Sequence, residues 1–314
     1  MRIIFLGTPS FAVPVLQALA AHHEVMLVVS QPDRPRGRGK QLMPTPVKAA
    51  AGELGLPVFQ PTRIRDEEAM AVLRGAGAQV MITAAYGQIL SQEVLDIAPL
   101  GVMNVHASLL PAYRGAAPVP WAVIHGERET GVTIMQTARG VDTGDILAQA
   151  ACEIGDDDTA GSLLERLADM AAGPLLAVLE QAQRGELRPA PQDESLASHA
   201  PMLSKQDGWL DFSQSARQVR RRFMGLTPEP GVRLGIGGVI LRVAACRVLA
   251  GESIPGRLAV VEGALCVGCA DGWLALDEVV PAGKGAMKGT DYARGLRQTP
   301  EWADGYGDET RSDI

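Results

Sequence analysis

Several kinds of residue and segment are scarce in this chain of 314 residues, and each shortage excludes a class of protein. The chain has four cysteines, too few for a disulfide framework. No uninterrupted apolar run reaches the roughly 18 residues that a membrane span requires. The first apolar run stops at Gly7-Thr8-Pro9, which indicates a strand and a turn instead of a signal peptide. We therefore expect a cytoplasmic protein.

Aromatic residues and net positive charge are also in short supply. Aromatic residues make up 4% of the chain, which argues against base stacking as the main way of binding a partner. The formal net charge of −7 argues against a surface built throughout to attract nucleic acid. Basic residues nevertheless cluster locally. Residues 31–48 carry five basic side chains and one acidic, and residues 204–297 carry thirteen basic and nine acidic.

Cys266 and Cys269 form a CxxC pair that has two interpretations. A structural zinc site needs a second pair of ligands, and the five histidines of the chain offer none at a finger-like spacing. The other interpretation is that both cysteines are small residues of a buried strand. We favour the strand and predict no metal site.

Short β-branched runs alternate with helical patterns in the first half of the chain. The predicted strands are residues 3–6, 25–29, 58–59, 80–84, 102–106 and 132–135. This alternation predicts an α/β fold with a doubly wound, mainly parallel, Rossmann-like sheet. Ligands of such sheets bind at the carboxyl ends of the strands, so we expect the site near the loops after residues 29, 84, 105 and 135. A single long helix is predicted over residues 159–184, ended by Gly185.

The second half of the chain has a different pattern. An Arg-rich helix is predicted over residues 213–224. Glycine-punctuated strands follow at residues 238–243, 257–261, 264–267 and 273–279, a pattern typical of a small OB-like β-barrel. We predict a catalytic domain over residues 1–188, a linker over 189–203 and a C-terminal domain over 204–314.

The candidate catalytic residues begin with Asn104 and His106, which lie two apart on a predicted strand and therefore share one face. One interpretation is a structural pair whose polar groups satisfy each other. The other is an amide donor beside a titratable imidazole, which acyl transfer uses to stabilise an oxyanion and to move protons. Asp142, in the turn at residues 140–145, could pair with His106 if that turn folds back onto the strand. The alternative is a turn aspartate bonded to its own backbone.

Phosphate-binding signals are weaker. The turn Gly7-Thr8-Pro9-Ser10 lacks the GxGxxG spacing, and Gly39-Lys40 lacks the rest of a P-loop, so a dinucleotide enzyme has little support. The basic loop at residues 31–48 is either a solvated surface loop or a contact for an RNA backbone. The same two interpretations apply to the basic helix that contains Arg217, Arg220, Arg221 and Arg222.

Taken together, these segments resemble the folate-dependent formyltransferases. The resemblance is carried by Asn104-Val105-His106, by SLLPAYRGAAP at residues 108–118 and by Asp142-Thr143-Gly144-Asp145. The loop Gly37-Arg38-Gly39-Lys40 is similar to that of the members that act on methionyl-tRNA. One departure lies at residues 226–231, Leu-Thr-Pro-Glu-Pro-Gly, which lack the tryptophan of the usual turn.

The resemblance implies a reaction and a set of residues. It implies a monomer that transfers the formyl group of 10-formyltetrahydrofolate to methionyl initiator tRNA, and it assigns catalysis to Asn104, His106 and Asp142. The implied folate contacts are Tyr86, Gln88, Ile89, Leu90, Ser108, Leu109, Leu110 and Pro111. The predicted tRNA contacts are Arg36, Arg38, Lys40, Lys205, Arg220 and Arg221. The alternatives are a formyltransferase or formyltetrahydrofolate hydrolase that acts on a small molecule, and a tRNA-binding module without catalysis.

Overall fold

The computed structural model describes residues 1–36, 41–296 and 300–305. The chain forms two compact units. The first comprises Met1–Pro118, Arg128–Ile154 and Ser162–Pro201, and the second comprises Val119–Glu127, Gly155–Gly161 and Met202–Ile314. The boundaries drawn from the sequence at residues 188 and 204 stay a prediction.

The first unit is built on a seven-stranded sheet. Its strands are β1 Arg2–Gly7, β2 Glu24–Val29, β5 Val58–Phe59, β6 Val80–Ala84, β7 Val102–His106, β8 Glu129–Gln136 and β9 Ile146–Glu153, beside a separate hairpin of β3 Arg34–Arg36 and β4 Gln41–Met43. The strand order is β5-β2-β1-β6-β7-β8-β9. The first five strands in this order, β5, β2, β1, β6 and β7, pair in parallel, which confirms the mainly parallel sheet.

The last two strands of this sheet depart from the prediction. Strand β8 runs antiparallel to β7, and β9 runs antiparallel to β8. The loop that follows β8 therefore leaves the sheet at the amino end of β7, where the Thr137 N–H donates to the Val102 carbonyl oxygen. The expectation that this loop lies at the carboxyl ends was wrong. Strand β9 escaped prediction because its alanine-rich sequence has low strand propensity.

Helices lie between these strands or after them in the sequence, and the one at residues 118–125 belongs to the second unit from residue 119 onward. They are α1 Ala12–His22, α2 Pro46–Glu53, α3 Glu67–Gly75, α4 Gln92–Leu95, α5 Pro118–His125, α6 Ala160–Met170 and α7 Ala172–Arg184. The single helix predicted over residues 159–184 is thus two helices. Pro174 has no N–H to donate to the carbonyl of Met170, four residues earlier, and the helix is interrupted at Ala171. Gly185 ends α7 with a left-handed φ of 69°, as predicted.

The second unit is an antiparallel β-barrel. Its strands are β10 Val232–Ile236, β11 Val239–Leu249, β12 Leu258–Val261, β13 Ala264–Gly268, β14 Trp273–Pro281, β15 Met287–Lys288 and β16 Ala303–Asp304, with helices α8 Ala216–Gly225 and α9 Gly289–Arg294. The order is β12-β13-β14-β11-β10-β16. A bridge between Arg257, next to β12, and Trp302, next to β16, closes the sheet and confirms the predicted barrel. No helix in the described part of the chain is long and apolar enough to span a membrane.

The two CxxC cysteines lie in the barrel. Cys266 belongs to β13, Cys269 follows that strand, and both are fully buried. Burial raises the pKa of the Cys269 thiol to about 12. Among residues 1–36, 41–296 and 300–305, no group of three or more His, Cys, Asp and Glu side chains could hold a metal ion.

We expect three of the four thiols to react slowly in the native protein at pH 8. Burial raises the pKa of Cys246, Cys266 and Cys269, and only the thiolate attacks a disulfide reagent. Ellman's reagent should therefore titrate at most one thiol rapidly, at Cys152, and all four in guanidinium chloride. A Cys152→Ser variant is the control and should lose the rapid reaction. Two or more rapid thiols in the native chain would contradict this barrel core.

Candidate active site

Two polar side chains of β7 share one face of the sheet. Asn104, the single asparagine of the chain, lies opposite Met135 of β8, and His106 lies opposite Thr133. The His106 side chain is only 6% exposed. Its Nε2 lies 3.0 Å from the main-chain oxygen of Tyr113. Because a carbonyl oxygen can only accept, Nε2 carries a hydrogen, and Nδ1 is the ring atom turned toward the rest of the site.

The turn at residues 140–145 brings Asp142 onto the same face. One carboxylate oxygen, Oδ2, lies 3.5 Å from His106 Nδ1 and accepts the Gly115 N–H at 2.9 Å. The other, Oδ1, accepts from Asn104 Nδ2 at 3.4 Å. The structure therefore brings the three predicted catalytic residues together. The carboxylate has partners on other segments, unlike a turn aspartate that binds only its own backbone.

This arrangement supplies what acyl transfer requires. A protonated imidazole would find an acceptor for each of its N–H groups, Tyr113 O for one and Asp142 for the other. The Asn104 amide has a second N–H that can meet negative charge on a carbonyl oxygen. Nearly full burial of His106 keeps water away and strengthens such interactions.

The backbone of the Asp142 turn is unusual. Asp142 adopts a left-handed φ of 52°, which costs energy in a residue other than glycine. Two positions later, a Cβ on Gly144 would overlap the main-chain oxygen of Gln136. Glycine at position 144 is thus required for the turn to lie close against the end of β8.

The main chain of the predicted folate segment at residues 108–111 is hydrogen-bonded to a side chain of β8. Thr133 Oγ1 donates to the Ser108 carbonyl at 2.7 Å and accepts the Leu110 N–H at 3.1 Å. The Ser108 hydroxyl donates to the Ala112 carbonyl at 2.7 Å. Ser108 and Leu110 are buried, whereas Leu109 and Pro111 are half-buried. The surface that this segment offers to a ligand consists of its fixed backbone, Leu109 and Pro111.

The second predicted folate segment, after β6, also contains some side chains that pack in the protein and one that is exposed. Tyr86 and Leu90 pack in or against the core. The Gln88 side chain accepts the Ile64 N–H at 2.8 Å and so serves the neighbouring loop. Ile89 is 88% exposed. Of these four side chains, Ile89 is the one the fold leaves for an apolar ligand contact.

A cleft of about 280 Å³ opens where the loops after β1, β2 and β6 meet. It is lined by Thr8, Pro9, Gln31, Pro32, Arg34, Met43, Thr45, Ala85, Tyr86 and Gly87. Thr8 joins the three loops, because its hydroxyl donates to the Tyr86 carbonyl at 2.8 Å and accepts the Gln31 N–H at 3.4 Å. Gln31 Nε2 and Tyr86 Oη are buried without a hydrogen-bond partner in the described part of the chain. Burial also raises the pKa of the Tyr86 hydroxyl, so it stays protonated.

The predicted tRNA contacts have different surroundings. Arg38 and Lys40 lie outside the described residues, and Arg36 is the last residue of β3. Lys205 is exposed. Arg220 donates to Asp157 at 2.6 Å and to the Asp156 carbonyl at 2.9 Å, and Arg221 packs its guanidinium over Gly126. Arg220 is thus engaged in an internal ion pair, and the tRNA roles of these residues stay predictions.

Sequence reasoning missed the residues that support the Asp142 turn. Gln192 donates from Nε2 to the main-chain oxygens of Asp142 and Gly144, at 2.8 and 2.7 Å. Arg114 in turn binds Gln192. Arg114 stood within a recognised motif, but Gln192 lies 50 residues from Asp142 and no local pattern signals the contact.

Comparison with known proteins identifies the family of the chain. The formyl transferase family matches residues 1–179, and the formyl transferase C-terminal domain matches residues 202–297. The chain belongs to the formyl transferase family. A methionyl-tRNA formyltransferase from Thermus thermophilus is 47% identical over 302 residues, 96% of this chain and 98% of that protein. One from Solibacter usitatus is 44% identical over 95% of this chain and 97% of its own.

Solved structures share the fold of this formyltransferase at low sequence identity. HypX from Aquifex aeolicus, in complex with tetrahydrofolic acid, matches with a TM-score of 0.64 and 19% identity, over 96% of this chain and 48% of its own. The sugar 3N-formyl transferase WlaRD, in the presence of dTDP and 5-N-formyl-THF, matches with a TM-score of 0.66 and 14% identity, over 91% and 99%. The resemblance inferred from the sequence motifs is confirmed.

We expect Gly144→Ala to destabilise the formyltransferase by about 1–3 kcal/mol, because the new methyl group overlaps a main-chain oxygen that cannot move aside cheaply. Gly173→Ala in α7 is the matched control, since a Cβ there meets nothing within 4 Å. The control should be neutral or stabilising by up to about 1 kcal/mol. Denaturant unfolding of both variants makes the comparison, and equal stabilities would show that the turn is not tightly packed.

Proposed function

We propose that this formyltransferase moves the formyl group of 10-formyltetrahydrofolate to the α-amino group of methionyl initiator tRNA, giving N-formylmethionyl-tRNA for translation initiation. The observation that carries the proposal is the meeting of Asn104, His106 and Asp142 on one face of the sheet. Relatives named methionyl-tRNA formyltransferase, 44–47% identical over nearly the whole chain, support the choice of substrate.

Each of the three side chains has a role that its geometry permits. When bound, the folate supplies an activated formyl group on nitrogen. Asn104 donates an N–H to the negative charge that develops on the formyl oxygen, and His106 as imidazolium adds a positive charge beside it. Asp142 orients His106 and accepts the proton that the α-amine loses, directly or through a water. The bond between the formyl carbon and the folate nitrogen breaks as His106 gives its proton to that nitrogen, and the proton held by Asp142 then passes to His106, so both groups return to their starting states.

The folate is assigned to residues that the fold leaves available. We place it against the backbone of residues 108–111, with Leu109, Pro111 and Ile89 as apolar contacts. The buried atoms Gln31 Nε2 and Tyr86 Oη, which have no hydrogen-bond partner in the described part of the chain, fit a cleft that receives a polar ligand. Folate-bound neighbours of the same fold support a folate cosubstrate for the family.

The tRNA is assigned to the basic loop and the barrel, each within its own unit. The one acid of the loop, Asp33, is already paired, because Lys48 donates to it at 2.5 Å and Gln60 at 2.7 Å. The hydrogen bond from Gln60 and then that from Lys48 lower the pKa of Asp33. We assign the remaining cations of the loop, Arg36, Arg38 and Lys40 among them, to contacts with a polyanion. Arg34 and Met43, which pair in the β3–β4 hairpin of this loop, also line the cleft, which supports entry of the aminoacyl end there.

The deciding experiment compares three reactions of the purified chain with 10-formyltetrahydrofolate. The acceptors are initiator methionyl-tRNA, elongator methionyl-tRNA and no tRNA. The proposal predicts fast formylation of the initiator alone. Turnover of the folate without tRNA would identify a hydrolase, and formylation of a small amine in preference to tRNA would identify a small-molecule formyltransferase.

We expect Asn104→Ala to lower kcat about 100- to 1,000-fold, because it removes a donor to the developing oxyanion. The KM for both substrates should change little, since the donor acts mainly in the transition state. Single-turnover formylation of initiator methionyl-tRNA measures the effect, and circular dichroism checks the fold. A variant with near-normal turnover would remove Asn104 from the mechanism.

We expect Arg38→Ala to raise the KM for tRNA, or to lower turnover, while the affinity for folate is unchanged. Phosphate contacts release counterions, so the dependence of tRNA binding on salt should also become shallower in the variant. Filter binding of initiator methionyl-tRNA at several salt concentrations measures this, with Arg74→Ala on α3 as a control at an exposed arginine. Equal loss of folate and tRNA binding would contradict the assignment of this loop to tRNA.

A further inference from the structure

The segment of residues 190–200, here called the strap, is hydrogen-bonded to the rest of the first unit near both of its ends. Ala190 pairs with Ile146 through two main-chain hydrogen bonds of 2.8 and 2.9 Å. Farther along, Arg114 N–H donates to the Ser198 carbonyl at 2.8 Å, and the Ala200 N–H donates to the Arg114 carbonyl at 2.7 Å. The strap is therefore an ordered part of this unit, although its sequence is typical of a linker.

One strap side chain reaches the turn that carries the catalytic carboxylate. The Gln192 amide nitrogen donates at 2.8 Å to the main-chain oxygen of Asp142 and at 2.7 Å to that of Gly144. These two carbonyls lie on either side of Thr143. Asp142 itself has a left-handed φ of 52°. Both amide hydrogens of Gln192 are thus used to hold a backbone conformation that Asp142 would adopt only at a cost.

A buried arginine fixes the orientation of this amide. Arg114, 3% exposed, donates from Nε at 3.0 Å and from Nη2 at 2.8 Å to Gln192 Oε1. A guanidinium can only donate, so the oxygen of Gln192 must face Arg114 and its nitrogen must face the turn. Glu194 holds the other edge of the guanidinium with bonds of 2.9 and 2.8 Å and compensates its charge.

We propose that Gln192, oriented by Arg114, is a positioning residue that holds the Asp142 carboxylate against His106 and Asn104. This inference rests on the proposed function, since it assigns Gln192 a role in the same site. The 3.5 and 3.4 Å separations from Asp142 to His106 and Asn104 depend on where the turn lies. Displacements of about 1 Å at a catalytic group can cost on the order of 100-fold in rate.

The sharpest variant is Gln192→Glu. It keeps an oxygen acceptor for Arg114 at the same length, but it has no N–H for the turn and sets a carboxylate against two carbonyl oxygens. We expect kcat to fall about 10- to 100-fold, with the KM for tRNA and for folate within about twofold of the original. Gln181→Glu, the same change at an exposed position of α7, is the matched control and should keep the original kcat. Gln192→Met, without the repulsion, is the second variant should Gln192→Glu fail to fold.

A readout that does not depend on turnover comes from the single asparagine of the chain. Labelling with ¹⁵N-asparagine yields one side-chain amide signal, from Asn104, whose Nδ2 donates to Asp142. This signal should shift in Gln192→Glu and Gln192→Met in the direction seen in Asp142→Ala, and it should not move in Gln181→Glu.

The outcomes separate this inference from the proposed function. If the native chain does not formylate tRNA but the Asn104 signal shifts as described, the proposed function fails and the positioning role stands. If the Gln192 variants keep the native kcat and signal, the positioning role is overturned. It is also overturned if they lose kcat only in proportion to the folded fraction, with an unmoved signal in the folded protein.

Discussion

The carboxylate of Asp142 is the group on which the arrangement of the site depends. It is only 16% exposed, so it requires donors in place of water. The Gly115 N–H and the Asn104 amide supply them, and the His106 ring lies beside the carboxylate with Nδ1 at 3.5 Å. Asn104 and His106 belong to β7 and Gly115 to the loop after it, so the carboxylate joins the turn at residues 140–145 to both of these segments. The chemistry proposed for the site uses the same contacts that satisfy the buried charge.

The architecture of the sheet explains why so many segments must cooperate. Strand β7 brings Asn104 and His106 to one face, but β8 turns the chain back in the opposite direction. The turn that bears Asp142 therefore starts at the far end of β7 and reaches the site along the face of the sheet. The turn is held there by the close packing of Gly144 against the end of β8 and by hydrogen bonds from Gln192 of the strap.

Much of the fold could be predicted because it follows from local pattern. The parallel strands were found from their β-branched runs, and the barrel from its glycine-punctuated strands. The errors arose where a local signal was weak or was misread. Strand β9, at the edge of the sheet, is rich in alanine, which gives only a weak strand signal. The helical pattern of residues 159–184 predicts one continuous helix, although Pro174 interrupts it. The folate roles of Tyr86 and Gln88 are implied by a family resemblance and stay predictions; the structure shows the Tyr86 ring packed in the core and the Gln88 side chain bonded to a neighbouring loop.

The sequence by itself determined the fold class, the family and the three candidate catalytic residues, because a strand period of two and short motifs are local properties of a chain. Only the tertiary structure decided how Asp142 reaches His106 and what holds it there. The direction of β8 and the contacts of Arg114 and Gln192 join residues tens of positions apart. Such contacts depend on how the elements pack, and no pattern within either segment encodes them.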